Sequence, residues 1–239
     1  MWPSMNVIEL FASIDGEGTR QGYLATFLRL YDCNLRCTYC DTTYSYGHVP
    51  YDICHVAQVA TDIIAKGNTR LTVTGGEPLL QEEDLRQLFQ LLPADYDINI
   101  ETNGSRIGTL HEGDDRVFYT YDYKCPDSGF EQAMHPDLFK VLRPKDVLKF
   151  VVSSTKDLDR MRQLVTTNKP QCHLFVSHVF GRIEPKDIVG LMQKTFKFVA
   201  DFEGEIPGAA PKDCGNWLLH DLFVAPPARG QGLAEALIR

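Results

Sequence analysis

LTVTGGEPLLQEEDLRQLFQLLPADYDINIETNG, Leu71 to Gly104, is the stretch whose reading decides the fold. It opens on a short strand, Leu71 to Thr74, and turns at Gly75-Gly76-Glu77-Pro78. A helix follows from Glu82 to Leu92 and stops before Pro93, and a second strand runs from Asp97 to Ile100. Strand, helix, strand in this order predicts two parallel strands joined by a right-handed crossover. The same alternation extends in both directions. Leu24–Leu30, Val117–Tyr121, Val147–Val152 and Cys172–Ser177 read as strands. Asp52 to Lys66 reads as a helix, apolar at Ile53, Val56, Ala57, Ala60, Ile63 and Ile64 and stopped by Gly67. Lys156 to Thr166 and Pro185 to Lys194 read as two more. About six units predict an α/β fold on a parallel sheet. That is too few for a closed eight-stranded barrel; a partial barrel of about six strands is preferred over a flat doubly wound sheet, which periodicity alone does not separate from it. Ligands in such folds sit at the carboxyl ends of the strands. The polar motifs fall there, after Thr74, after Ile100 and after Tyr121.

Three cysteines lie within eight residues, Cys33-Asn34-Leu35-Arg36-Cys37-Thr38-Tyr39-Cys40. Their number is odd, so they cannot all pair as disulfides. Three thiolates on one short loop suit a [4Fe-4S] cube, and leave one iron without a protein ligand. A zinc site is the alternative, with Cys54, His48 or His55 as fourth ligand. Structural zinc usually takes two short ligand pairs rather than one triplet, which favours the cluster. Of the scattered cysteines, Cys54 and Cys172 read as small buried hydrophobes. Gly75-Gly76 would let backbone approach a ligand closely, and Glu77 would accept from an ammonium. Glu101 and Asn103 would suit ribose hydroxyls, and Lys124 and Ser128 a carboxylate or hydroxyl. Each of these motifs also has a plain reading as a turn.

The 239 residues suffice for one large domain. A net charge of -8 disfavours a broad nucleic-acid footprint and suits a small-molecule enzyme. No run of 18 apolar residues predicts a membrane span, and the first residues lack the blocks of a signal peptide. Seven cysteines fit a reducing compartment, so a cytoplasmic location is expected.

Taken together, the motifs resemble the radical S-adenosylmethionine superfamily, and within it the carboxydeazaguanine synthase family. The resemblance runs from about Val7 to Gln193. It is carried by Gly16-Glu17-Gly18, Phe27-Leu28-Arg29, Cys33 to Thr42, Gly75 to Pro78, Glu101 to Gly104, Lys124 to Gly129 and Val179 to Pro185. It implies a partial barrel of the radical SAM type and a lyase that turns a 6-carboxytetrahydropterin into a 7-deazapurine with loss of ammonia. It further implies that Cys33, Cys37 and Cys40 bind the [4Fe-4S] cluster. S-adenosylmethionine would be held by Gly75, Gly76, Glu77, Glu101, Asn103, Lys124 and Ser128. Gly16, Glu17, Gly18 and Arg29 would bind the pterin, and Thr42 would contact Mg2+. An electron donor such as flavodoxin or ferredoxin, and a homodimer, are implied as well. An activase of a glycyl-radical enzyme and a catalytically impaired metal-binding protein are the competing readings. Asp15 stands where the family usually has Gln, and is expected to place a charge beside the pterin pocket.

The resemblance stops near Lys194, which divides the chain into residues 1–194 and a tail of 195–239. In the tail, Leu219 to Ile238 resembles the coenzyme A loop of N-acetyltransferases, with Arg229-Gly230-Gln231-Gly232 at a helix start. The tail is too short for an independent domain. The preferred expectation is an added strand and helix against the barrel, with the Gly-rich turn serving geometry alone.

Overall fold

A computed structural model describes residues 3–190 and the backbone of Trp217–Leu219. One sheet of nine strands carries the fold. In chain order they are β1 (Ser4–Ile14), β2 (Leu24–Leu30), β3 (Asp52–His55), β4 (Arg70–Gly75), β5 (Asp97–Thr102), β6 (Val117–Lys124), β7 (Val147–Val152), β8 (His173–His178) and β9 (Trp217–Leu219). Their spatial order is β3-β1-β2-β4-β5-β6-β7-β8-β9. β1 pairs antiparallel with β2 and with β3. From β2 onward every neighbouring pair is parallel. The helices are α1 (Val56–Ala65), α2 (Glu82–Leu91), α3 (Leu138–Val141) and α4 (Thr155–Asn168). Residues 185–190 are helical too.

Each long helix buries one stripe at the 3.6-residue period: Val56, Val59, Ala60 and Ile63 on α1, Leu85, Leu88 and Phe89 on α2, Leu158, Met161 and Leu164 on α4. The acidic first turn of α2, Glu82-Glu83-Asp84, complements the positive end of its dipole. The α4 start is capped by Ser154, which accepts from the Asp157 N–H.

The strands alternate in kind. Leu71 and Val73, Ile98 and Ile100, Tyr119 and Tyr121, Leu148 and Phe150 belong to the hydrophobic core. Their neighbours Thr74, Glu101, Thr120, Asp122, Lys149 and Val151 border a cavity of about 320 Å³. Successive strand residues point to opposite faces, so an apolar core and a mainly polar cavity wall come from the same strands.

Three elements differ from the sequence reading. The N-terminal strand β1 was not expected. Only Met5 and Val7 of its residues are fully buried, so neither face reads as apolar. Asp52–His55 is strand β3 rather than the first turn of α1. Ile53, which fits the helix period, is 71% exposed, and backbone pairing with Ser4–Val7 decides the conformation instead. β6 also runs on to Lys124, so Asp122 and Lys124 are strand residues rather than loop residues. Of the scattered cysteines among the described residues, Cys125 is fully buried, while Cys54 and Cys172 are half-buried against the core. The second half of the helix expected at Pro185–Lys194, and the tail other than Trp217–Leu219, lie outside the described residues.

Candidate functional site

The cavity opens at the carboxyl ends of β2 and β4 to β7, where the parallel register places it. Cys33, Cys37 and Cys40 all border it, on the loop that follows β2. That loop starts at Asp32, a non-glycine residue held at φ 75°. Asp tolerates this region better than most residues, and its Oδ1 accepts the Cys33 N–H at 2.8 Å.

Five contacts pin the loop. The Glu77 N–H donates to the Asp32 carbonyl at 2.7 Å. The Asn103 amide donates to Asn34 Oδ1 at 2.9 Å. The Thr38 N–H donates to the Ser128 carbonyl at 3.1 Å, and the Thr38 hydroxyl to the Asp127 carbonyl at 2.7 Å. The Tyr39 hydroxyl crosses to the Val151 carbonyl on β7 at 3.2 Å.

These contacts explain the Gly75-Gly76 pair. A Cβ on Gly75 would lie 2.3 Å from the Leu30 carbonyl oxygen, and one on Gly76 1.9 Å from that of Asp32. Both glycines border the cavity, but what they admit is backbone: Gly75 the end of β2 at Leu30, Gly76 the start of the cysteine loop. Glu77 is turned away from the cavity. Fully buried, its carboxylate accepts from Leu79 N (2.9 Å), Thr102 Oγ1 (2.8 Å) and Asn103 N (2.7 Å). Burial raises its pKa, and the hydrogen bonds from Asn103, Leu79 and Thr102 oppose the rise. Glu77 thus ties β4 to the end of β5 rather than presenting an oxygen to a ligand.

The remaining expected residues divide in the same way. Glu17, Arg29, Thr42, Glu101, Asn103 and Lys124 border the cavity. Gly16, Gly18 and Ser128 are not part of its wall. Gly18 takes φ 64° in the turn after Glu17. Ser128 is buried, and its Oγ accepts the Phe130 N–H at 3.0 Å. Asp15 is not in the cavity wall, but its charge acts on Glu101, which is. Asp15 is buried below the cavity, 3.4 Å from the Arg20 guanidinium, and accepts from Thr72 Oγ1 at 3.0 Å and the Glu17 N–H at 3.2 Å.

The sequence reading missed Lys149 and Asp122. Lys149 forms an ion pair with Glu17, and Asp122 lies 2.7 Å from Lys124. Burial opposes the charge on both lysines, but the carboxylates around them raise their pKa values. Glu101 is pushed up to about 7 by burial first and by the nearby Glu17 charge second. The period-2 alternation of β7 was the available signal: Lys149 stands between Leu148 and Phe150, both in the core.

The donor set fits an iron-sulfur cluster. Three thiols share one cavity wall. Cys33 Sγ accepts from the Leu35 N–H at 3.4 Å and the Asn103 amide at 3.7 Å, contacts that favour a thiolate. Burial raises the pKa of the Cys33 and Cys37 thiols, so a bound metal would be needed to hold them as thiolates. Among the described residues no three Cys, His, Asp or Glu side chains converge on a single ion.

Comparison with known proteins gives two family-model matches on different parts of the chain. The Radical SAM superfamily model matches residues 29–121. An S-ribosylhomocysteinase (LuxS) model matches residues 144–237. An S-ribosylhomocysteine lyase of Phocaeicola vulgatus is 63% identical over 57 residues, covering 24% of this chain and 35% of that protein. The acetyltransferase resemblance of the tail finds no support in these matches. In fold, the chain is similar to the crystal structure of QueE from Escherichia coli, with a TM-score of 0.64 at 17% identity over 82% of this chain and 91% of that one. A 7-carboxy-7-deazaguanine synthase of Clostridium acetobutylicum is 40% identical over 193 residues, covering 78% of this chain and 87% of that protein. With three thiols at the mouth of a partial parallel barrel and a relative this similar over most of its length, the chain belongs to the 7-carboxy-7-deazaguanine synthase family of radical SAM proteins.

Proposed function

We propose that the chain converts 6-carboxy-5,6,7,8-tetrahydropterin into 7-carboxy-7-deazaguanine with loss of ammonia. The observation that carries this reading is the single cavity that Cys33, Cys37 and Cys40 share with Arg29, Glu17 and Glu101. A [4Fe-4S] cluster on the three cysteines and S-adenosylmethionine would supply reductive radical chemistry there.

The protein's part is to bind and to orient. Arg29, on β2, extends into the cavity between Glu9, which it meets at 2.6 Å, and the Tyr44 ring. Its planar guanidinium suits the substrate carboxylate. Glu17 is an acceptor for ring N–H groups. Glu101 and Asn103 would take the ribose hydroxyls, and Gly75 and Gly76 would offer backbone to the amino acid end of S-adenosylmethionine. Lys124 supports that end through its charge. Thr42, whose hydroxyl is bonded to Asp41 at 2.6 Å, is the oxygen for a Mg2+ that also takes substrate oxygens.

The proposal extends to the whole molecule. Residues 1–194 act as the catalytic barrel. The tail from 195 is an appendage, and the pairing of Trp217–Leu219 with β8 supports its adding a strand to the barrel's sheet. We place the protein in the cytoplasm as a homodimer fed by a flavodoxin or ferredoxin. No helix among the described residues is long and apolar enough to cross a membrane.

The test is anaerobic reconstitution followed by iron and sulfide analysis and turnover. About four irons per chain and carboxydeazaguanine formed from the carboxypterin would bear the proposal out. S-adenosylmethionine cleavage with the pterin untouched would move it to an activase. One zinc without sulfide would end it.

A further inference from the structure

The cavity carries an uneven set of charges. Glu17 follows β1, Asp41 follows the cysteine triplet, Glu101 lies on β5 and Asp122 on β6, giving four carboxylates. Lys124 on β6 and Lys149 on β7 supply two ammoniums. Arg29 on β2 meets Glu9 on β1 through its Nε, Asp41 accepts from the Thr42 hydroxyl, and Asp15 pairs with Arg20 below. Lys124 pairs with Asp122, and Lys149 with Glu17. Lys149 is only 13% exposed while Glu17 keeps 39%, so the ammonium is enclosed and the carboxylate retains an open side. Glu101 forms no ion pair among the described residues, and burial first and the Glu17 charge second raise its pKa. Without Lys149 the Glu17 carboxylate would lose the ion pair that holds it on the wall.

We propose that Lys149 is a positioning residue for substrate: it fixes the Glu17 carboxylate on the cavity wall and so selects a neutral heterocycle with two adjacent N–H donors. The inference rests on the pterin reading above, since the 2-amino-4-oxo ring presents such a donor pair and a carboxylate accepts two parallel N–H bonds. A Glu17 side chain turned away from that position would leave the donor pair unmet. Asp122 stands opposite Lys149 in the register of β6 and β7. Its Oδ1 is buried and has no hydrogen-bond partner. The ammonium therefore keeps a compensating charge beside it when a ligand engages Glu17.

The experiment is equilibrium titration of 6-carboxytetrahydropterin into the anaerobic, cluster-loaded full chain, with S-adenosylmethionine withheld so that nothing turns over. Wild type, K149M, K149R, E17Q and the E17Q/K149M double variant are compared. Near pH 7, K149M should weaken binding roughly tenfold, and K149R should stay within about threefold. In the E17Q background K149M should add no more than about a twofold loss, because the two residues act as one unit. K149Q replaces K149M if that variant does not fold, and the loss must reappear in it. Unchanged affinity in K149M, a K149R loss as large as that of K149M, or additive losses in the double variant would each overturn the inference while leaving the pterin reading intact. A wild-type protein that does not bind the pterin would overturn both.

Discussion

The Asp15 carboxylate lies 3.4 Å from the Arg20 guanidinium, with both side chains almost wholly buried beneath the cavity. Arg20 also donates to the carbonyls of Asp97 at 3.0 Å and Leu71 at 3.1 Å, and lies over the Phe118 ring. It thereby ties the loop that carries Glu17 to the bases of β4 and β5. Removing one partner of a buried ion pair strands the other charge. R20M should therefore lose about 3–5 kcal/mol in urea denaturation, and D15N, which keeps hydrogen-bonding atoms, should lose less. Equal losses in the two would refute this account.

Gly76 governs whether the cysteine loop can sit on β4. Its missing Cβ would lie 1.9 Å from the Asp32 carbonyl oxygen, an approach backbone cannot relieve without moving. G76A should shift Asp32 and Cys33 together and cut iron uptake on reconstitution well below that of wild type. A G76A protein with full iron content and unaltered stability would show that the loop adapts.

Asp157 acts on the same loop from the opposite side. It is fully buried and accepts from the Asp127 N–H at 3.0 Å and the Ser153 N–H at 2.9 Å. Asp127 and Ser128 in turn hold Thr38, between Cys37 and Cys40. D157A leaves two buried donors unsatisfied, at a cost of about 1–3 kcal/mol each. Chemical denaturation should report that loss, and the iron retained under a chelator should fall with it. Retention equal to wild type would separate Asp157 from the cluster loop.

Glu101 makes stability depend on pH. Its folded pKa of about 7 lies above the ordinary value of 4.5, so between those values the folded state holds more protons than the unfolded state. Stability conferred by the protonated carboxyl is then lost as pH rises through that window. E101Q has no such proton to lose. Its melting temperature relative to wild type should rise from about pH 4.5 to about pH 7 and level off above. A difference that stays constant across the window would show that Glu101 is not perturbed in the fold.

The crossover pattern, the cysteine triplet and the polar motifs at strand ends were legible in the sequence because each depends on residues close together in the chain. Periodicity alone placed α2, β4 and β5 almost to the residue, and spacing alone put three thiols on one loop. β1 and β3 were not legible, because pairing between distant segments, rather than an apolar stripe, stabilises them.

What each site residue does was decided only by tertiary structure. Glu77 and Asn103 are 26 positions apart and Lys149 and Glu17 are 132 apart, yet each pair is bonded. The chain determines which groups exist and at which strand end they emerge. Whether a carboxylate faces a cavity, as Glu17 does, or spends its oxygens on buried N–H groups, as Glu77 does, follows from which segments the closed fold brings within hydrogen-bonding distance. Burial makes that choice strict, since a desolvated charge must find its partner there or give up its ionisation.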